Sequence, residues 1–202
     1  MTASVQSPAD IVNLALSRIG HQGRIASLFD GSVPAKRALD IYGQTRDDLL
    51  RSQDWDFAER TVILTQLKAA PAGGYSISTP WSSTYPPPPW LYEYSYPTDC
   101  LKIRCIKQVP STDPYPMPNV FHVANDGTKV ILAEISNAIL VYTGQITDPT
   151  LWNSNFIEAL TASLARRLAA AFGMLDQGKA EAEKDEAQDE QVTTGMAANT
   201  QG

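Results

Sequence analysis

The chain is poor in the residues from which catalytic and metal sites are built. It has two histidines and two cysteines in 202 residues. Neither His21 nor His122 has a Cys or His near it at ligand spacing, so structural roles are expected for both. Cys100 and Cys105 fall in one predicted strand at an odd separation. That turns their side chains to opposite faces and argues against a bridge between them. Reduced thiols and a cytoplasmic place of synthesis are the resulting expectation. No run approaches the ~20 apolar residues of a membrane span, and the first residues lack the basic-then-apolar order of a secretion signal. Gly73-Gly74 is not followed by Lys-Ser/Thr, which excludes a phosphate loop. Ser82, Ser83 and Thr84 lack the elbow that exposes a nucleophile. A basic stripe is also missing: 22 acids against 16 Lys and Arg give a net charge of −6. A protein that grips duplex DNA shows the reverse. An acidic wall would instead let a strand pass without holding it.

What the chain does have is an order of parts. Helical periodicity occupies both ends, and a proline- and aromatic-rich, β-like stretch lies between them, giving an α+β class. Ser7-Pro8-Ala9-Asp10 is a helix start, with a serine cap, proline in the first turn and an acid at the positive dipole end. The helix is expected to run from Pro8 to Arg18 or Ile19 and to stop at Gly20. Ile25, Leu28 and Phe29 are expected to tuck a short loop under the core. A second amphipathic helix, 34–52, places Ala38, Tyr42, Thr45 and Leu49 on one stripe. Trp55 and Phe57 then anchor the exit of the chain. Strands are expected at 61–67, 91–96, 100–109, 120–123, 129–133 and 138–143. Asn125-Asp126-Gly127 is a hairpin turn, and the last three strands form a small antiparallel meander.

Eleven of the fourteen prolines lie between Pro71 and Pro118. The Pro86–Pro89 run predicts a stiff polyproline II segment within a long loop from Ala69 to Trp90. Trp81, Tyr85, Pro87 and Trp90 make this loop the strongest surface signal. Such aromatics serve a protein interface, sugar or base stacking, or closure of the β domain's own core. Asp54 and Asp56 flank Trp55 and share a face if extended, the arrangement of an acid/base pair; a helix stop with solvated acids is the plainer reading. After Asp148-Pro149, with Trp152 in the first turn, Phe156, Leu160, Leu164 and Leu168 recur at helical spacing. The apolar stripe fades beyond Leu175, where seven acids and two lysines fill 176–191. Composition still favours helix to about Glu190, which at 1.5 Å per residue would reach about 55 Å.

Three stretches together resemble the tail tubular protein A family, the head-to-tail adaptors of short-tailed bacteriophages. The first is Ile11-Val12-Asn13-Leu14-Ala15-Leu16-Ser17-Arg18-Ile19-Gly20 with Ile25-Ala26-Ser27-Leu28. The second is Tyr42, Arg46-Asp47-Asp48-Leu49-Leu50-Arg51 and Trp55-Asp56-Phe57-Ala58. The third is Tyr96-Pro97-Thr98-Asp99-Cys100-Leu101, followed by Trp152-Asn153-Ser154-Asn155-Phe156-Ile157-Glu158-Ala159-Leu160. The resemblance implies a helical bundle from residues 1–58, an inserted β-rich domain at 59–147, a long C-terminal helix at 148–191 that completes the bundle, and a docking tail at 192–202. Leu14, Tyr42, Leu49, Trp55, Phe57, Trp152, Phe156, Leu160 and Leu164 would anchor the bundle core. It implies a virion protein that is no enzyme and needs no cofactor or metal. Twelve copies would form a ring under the portal, with genomic DNA passing through the channel. Val192, Thr193, Thr194 and Met196 are the portal-docking candidates. The aromatic loop would meet a neighbour, the tail tube or nozzle, or tail fibres. The alternative is a carbohydrate-binding or other interaction module of a phage tail or fibre, using the same loop.

Overall fold

Helix α1 (Pro8–Arg18) begins as its cap residues dictate. The Ser7 hydroxyl accepts from the Asp10 amide, and the Asp10 carboxylate accepts in return from the Ser7 amide at 3.1 Å. This reciprocal pair satisfies donors that a helix start leaves open. Gly20, at φ +70°, turns the chain out of the helix in a conformation that other residues adopt only at a cost. The computed structural model describes residues 7–108, 119–123 and 127–173. They form a mixed α+β protein of three α-helices and two small antiparallel sheets.

The chain divides into two units: one takes residues up to Leu49 and again from Thr147, the other Leu50–Ile146. The first boundary thus falls nine residues before the expected one at 58/59. The reason is the Trp55–Ala58 segment, whose carbonyl at Trp55 is held by a strand residue, as described below.

In the first unit, α1 buries Ala9, Ile11, Val12, Ala15 and Leu16. The five apolar residues of the run 11–16 cannot all share one face at 100° per residue. Leu14 is the one turned away, 45% exposed, and so is not the core anchor its sequence suggested. Helix α2 (Val33–Ser52) buries Ala35, Ala38, Tyr42 and Thr45. Its stripe drifts in the last turn, where Leu50 is fully buried and Leu49 only partly. A 3-10 turn at Pro149–Leu151, closed by the Asp148 carboxylate, precedes α3 (Ser154–Ala171), which Asn153 caps. Trp152 therefore sits between two starts rather than in the first turn of one helix. Trp152, Phe156, Leu160 and Leu164 are all buried. α3 closes at Ala171, with Gly173 at φ +72°. Residues from 174 on, over which helix was expected to about Glu190, lie outside the described ones, as do the candidates Val192, Thr193, Thr194 and Met196.

The described residues of the second unit carry seven strands, β1 (Glu59–Ile63), β2 (Gln66–Ala69), β3 (Tyr92–Ser95), β4 (Cys100–Gln108), β5 (Asn119–Val123), β6 (Lys129–Ala133) and β7 (Ala138–Gly144). One sheet runs β1-β7-β4 and the other β2-β3-β6-β5. The expected strand 61–67 is thus two strands in two sheets. The break is at Leu64 and Thr65: the Leu64 amide donates to Ala138 in one sheet, and the Thr65 carbonyl accepts from Ser95 in the other, both at 2.9 Å. The expected meander also splits. β5 and β6 pair as a hairpin, but β7 crosses to the other sheet. Its corner is fixed by Asn137 at φ 52° and by the buried Tyr94 hydroxyl, which donates to the Ile135 carbonyl at 2.7 Å. Both sheets contribute to one core, with Leu64, Tyr94, Ile106, Ile131, Leu140 and Tyr142 among its members.

Strand β4 departs from simple alternation. Register shifts between Cys100 and Lys102 and between Ile103 and Cys105 turn Cys100, Ile103 and Ile106 inward at a spacing of three. Each bulge inserts a residue and resets the face. Both cysteines are free thiols.

Candidate interaction surfaces

The loop between β2 and β3 is built around one carbonyl. Pro86 is buried, and its oxygen accepts from the Tyr75 hydroxyl and from the Trp81 indole Nε1, the latter at 3.0 Å. The Tyr75 and Tyr85 rings meet edge to face with centroids 6.2 Å apart. The Trp90 amide donates to the Pro87 carbonyl at 3.1 Å and closes a turn over Pro87–Trp90, in which the Pro88–Pro89 peptide is cis. The proline run therefore reverses direction instead of extending as polyproline II. Of the four loop candidates, Trp81 is exposed, while Tyr85, Pro87 and Trp90 are partly buried. The aromatics brace the loop from inside. Ile77, which the sequence did not single out, stands fully in solvent.

A charged network joins the two strands that flank β7. Arg104, with a side chain only 9% exposed, donates from Nη2 to the Trp55 carbonyl at 2.6 Å, from Nη1 to Glu59 at 3.0 Å and from Nε to the Thr143 hydroxyl at 3.0 Å. Lys102 donates to Asp54 at 2.8 Å. That hydrogen bond, with the Lys102 and Arg104 charges, holds the Asp54 carboxyl below the usual carboxylate range. A general acid needs the opposite shift. Asp54 is therefore an ion-pair partner of β4, and nothing brings it to Asp56 as an acid/base pair. The fork geometry of arginine lets this one side chain serve three acceptors.

Trp55 and Phe57, expected in the helical core, are half-buried in this second unit, their rings 6.0 Å apart. Nearby, burial and the Asp99 carboxylate, which accepts from its hydroxyl at 3.0 Å, push Tyr142 up to about 12.

In the first unit, His21 is structural. Its Nδ1 accepts from the Gly23 amide at 3.0 Å and its ring lies 4.8 Å from Phe172. Asn13 pins the following loop with both ends of its amide, donating to the Ile25 carbonyl at 2.9 Å and accepting from the Ile25 amide at 2.8 Å. Ile25 is buried as expected, but Phe29 is not tucked in; it is 81% exposed. Asp30 accepts from the Ala26 and Ser32 amides and Ser27 from Phe29, and this closed turn points the ring outward. The Tyr42 hydroxyl is buried with no hydrogen-bond partner among the described residues, and desolvation pushes it up to about 12 against the opposing Arg46 charge.

Among the described residues no group of three or more His, Cys, Asp or Glu side chains is placed to hold a metal ion. None of the described helices is long and apolar enough to cross a membrane. Among the described residues, large apolar side chains that stand exposed include Phe29, Ile77 and Trp81. Comparison with models of known families and with characterised proteins finds no match for the chain.

Proposed function

We propose that the chain is a structural virion protein of the tail tubular protein A kind, one copy of a ring that joins the portal to the tail. The observation that carries this reading is the chain's division: its two ends share one helical unit, and Leu50–Ile146 is inserted as a β-rich unit. This division supports the organisation the resemblance implies, in which α1, α2 and α3 would form the bundle. The quoted motifs also fall on positions with structural work to do. Asn13 clamps Ile25 in the first stretch, Trp55 receives Arg104 in the second, and Asn153 caps α3 in the third.

In this role the ring is formed by head-to-tail contacts between copies, twelve in number, which close by rotation. The net charge of −6 suits a channel that genomic DNA crosses without being held. The segment beyond Gly173 carries the portal contact, and the aromatic loop carries a contact to an adjoining component. No covalent chemistry is involved, so the protein supplies position and shape alone.

The test is to mix the full chain with purified portal rings and examine the products by electron microscopy and sedimentation. Rings seated on portal are the expected product, and removal of Thr193–Gly202 is expected to leave the fold intact while weakening attachment. A chain that stays monomeric and ignores portal refutes the proposal. A second reading follows from the exposed, braced Trp81 in an uncharged loop, a surface suited to stacking on a neutral sugar. Glycan binding by the monomer, lost in Trp81→Ala, would favour it.

A further inference from the structure

The chain's negative charge is not spread evenly. Residues 174–202 carry seven acids and two lysines, a net −5, so all but one unit of the −6 lies beyond Gly173. The described acids of the helical unit, by contrast, serve their own structure. Asp10 and Asp148 hold helix starts, and Asp30 accepts from the Ala26 and Ser32 amides. Glu158 pairs with Arg18, Asp47 with Arg46 and Asp48 with Arg167. Arg24, Lys36 and Arg37 are exposed and form no ion pair among the described residues.

Val33, Lys36 and Arg37 share one face of α2, being three and four residues apart. Val33 is 63% exposed, and Phe29, just before the helix, is 81% exposed. The surface is therefore apolar where α2 begins and cationic one turn on; Asp40, a further turn along, is the acid that follows on this face.

The chain leaves α3 beside this surface. The Phe172 ring lies against His21, and His21 accepts from the Gly23 amide. Gly23 in turn adjoins the first turn of α2, since a Cβ placed on it would stand 3.6 Å from Pro34 Cγ. Next in the sequence come Met174 and Leu175, then Asp176, Glu181 and Glu183. The eight residues from Gly173 to Glu181 can span up to about 28 Å, enough to pass along the first turns of α2. Apolar residues followed by acids thus leave the helix next to apolar residues followed by cations.

We propose that residues 174–190 seat on this surface of their own chain. Met174 and Leu175 cover Phe29 and Val33, and the carboxylates that follow face Arg24, Lys36 and Arg37. Exposed ion pairs are individually weak. The tether offsets this by holding the segment at a local concentration in the millimolar range, far above that of a second copy in dilute solution. The inference goes beyond the adaptor reading and stands without it. Residues 192–202, which that reading assigns to the portal, lie past the docked stretch.

The test is carbodiimide coupling of carboxylates to lysines in the full chain, on an equal mixture of copies labelled with the two nitrogen isotopes and read by peptide mass spectrometry. Lys36 is expected to couple to acids in 176–190 at least fivefold more than Lys68, Lys102, Lys107 or Lys129 do. Both halves of each such product are expected to carry the same isotope. Arg37→Glu and Phe29→Asp alter exposed side chains, so the circular dichroism spectrum is expected to stay unchanged while the Lys36 product falls at least threefold. Raising salt from about 50 to about 500 mM is expected to lower it as well, by screening the attraction. Coupling at Lys36 no greater than at the other lysines, or equal in both variants, overturns the inference, because a tethered segment colliding at random would give that result. Products of mixed isotope at Lys36 overturn it too, by assigning the surface to the segment of a second copy.

Discussion

Replacing Arg104 by methionine is expected to cost the protein about 2–4 kcal/mol, and the estimate can be built from its three acceptors. Methionine keeps most of the apolar stem, so packing loss is small. Thr143 is fully buried, and losing the Nε donor leaves its hydroxyl without that bond, at about 1–3 kcal/mol. The Trp55 carbonyl loses a charge-assisted bond, about 1.5–3 kcal/mol before the guanidinium's own desolvation is recovered. Glu59 and Asp54 are half-exposed, so their ion pairs with Arg104 add a few tenths at most. Urea unfolding followed by tryptophan fluorescence and circular dichroism would measure the loss as a fall in midpoint at constant slope. Thr143→Val in the Arg104→Met background is expected to cost less than it does in wild type, because the hydroxyl has already lost its donor. A loss below about 1 kcal/mol, or strict additivity of the two changes, would show that the network does not fasten the Trp55 segment to the sheet.

Tyr42→Phe is expected to leave stability unchanged or raise it by about 1 kcal/mol, since it removes a buried hydroxyl that has no partner among the described residues; a clear loss in thermal melting would contradict this. Asn13→Ala removes both bonds to Ile25 and is expected to cost about 2 kcal/mol, with faster amide exchange at Ile25 as the local signature. Stability is expected to fall in alkali. Tyr142 is raised to about 12 in the folded state, so its contribution is complete below the unfolded value near 10 and disappears as pH rises through 12. Tyr142→Phe is therefore expected to flatten that alkaline decline, and an unchanged pH profile would refute the assignment. Asp54 is lowered, so its smaller contribution is present above the unfolded value near 3.9 and fades as pH falls below it. Asp54→Asn is expected to reduce the loss of stability in acid.

Local signals were read correctly where one segment decides its own structure. The Ser7 cap, the acid at Asp10 and the glycine at position 20 specify α1 within a single stretch of chain. Tyr42 in α2 and Phe156, Leu160 and Leu164 in α3 follow from helical spacing in the same way. Pairing between distant strands was not legible, because the run 61–67 looks continuous until Leu64 is seen to face a core shared by two sheets. Strand β4 misled for a similar reason: its bulges are set by β7, and they moved the inward positions away from simple alternation. Leu14 was misassigned because hydrophobicity does not say which of the five apolar residues in the run 11–16 must face water. The role of Arg104 was hidden because two of its acceptors, the Trp55 carbonyl and Thr143, lie 49 and 39 residues away. In the loop, composition identified the aromatics but not that the Pro86 carbonyl would tie Tyr75 and Trp81 together and leave Ile77 exposed.

The helical unit is assembled from opposite ends of the polypeptide, and this imposes a schedule on synthesis. A ribosome must deliver the whole inserted β region before α3 emerges to pack against α1. Until then the leading helices wait with their greasy sides bare, while the later-made middle can already close on itself. Premature termination anywhere before Ser154 would strand those helices without a mate, and chaperones would find their binding sites there.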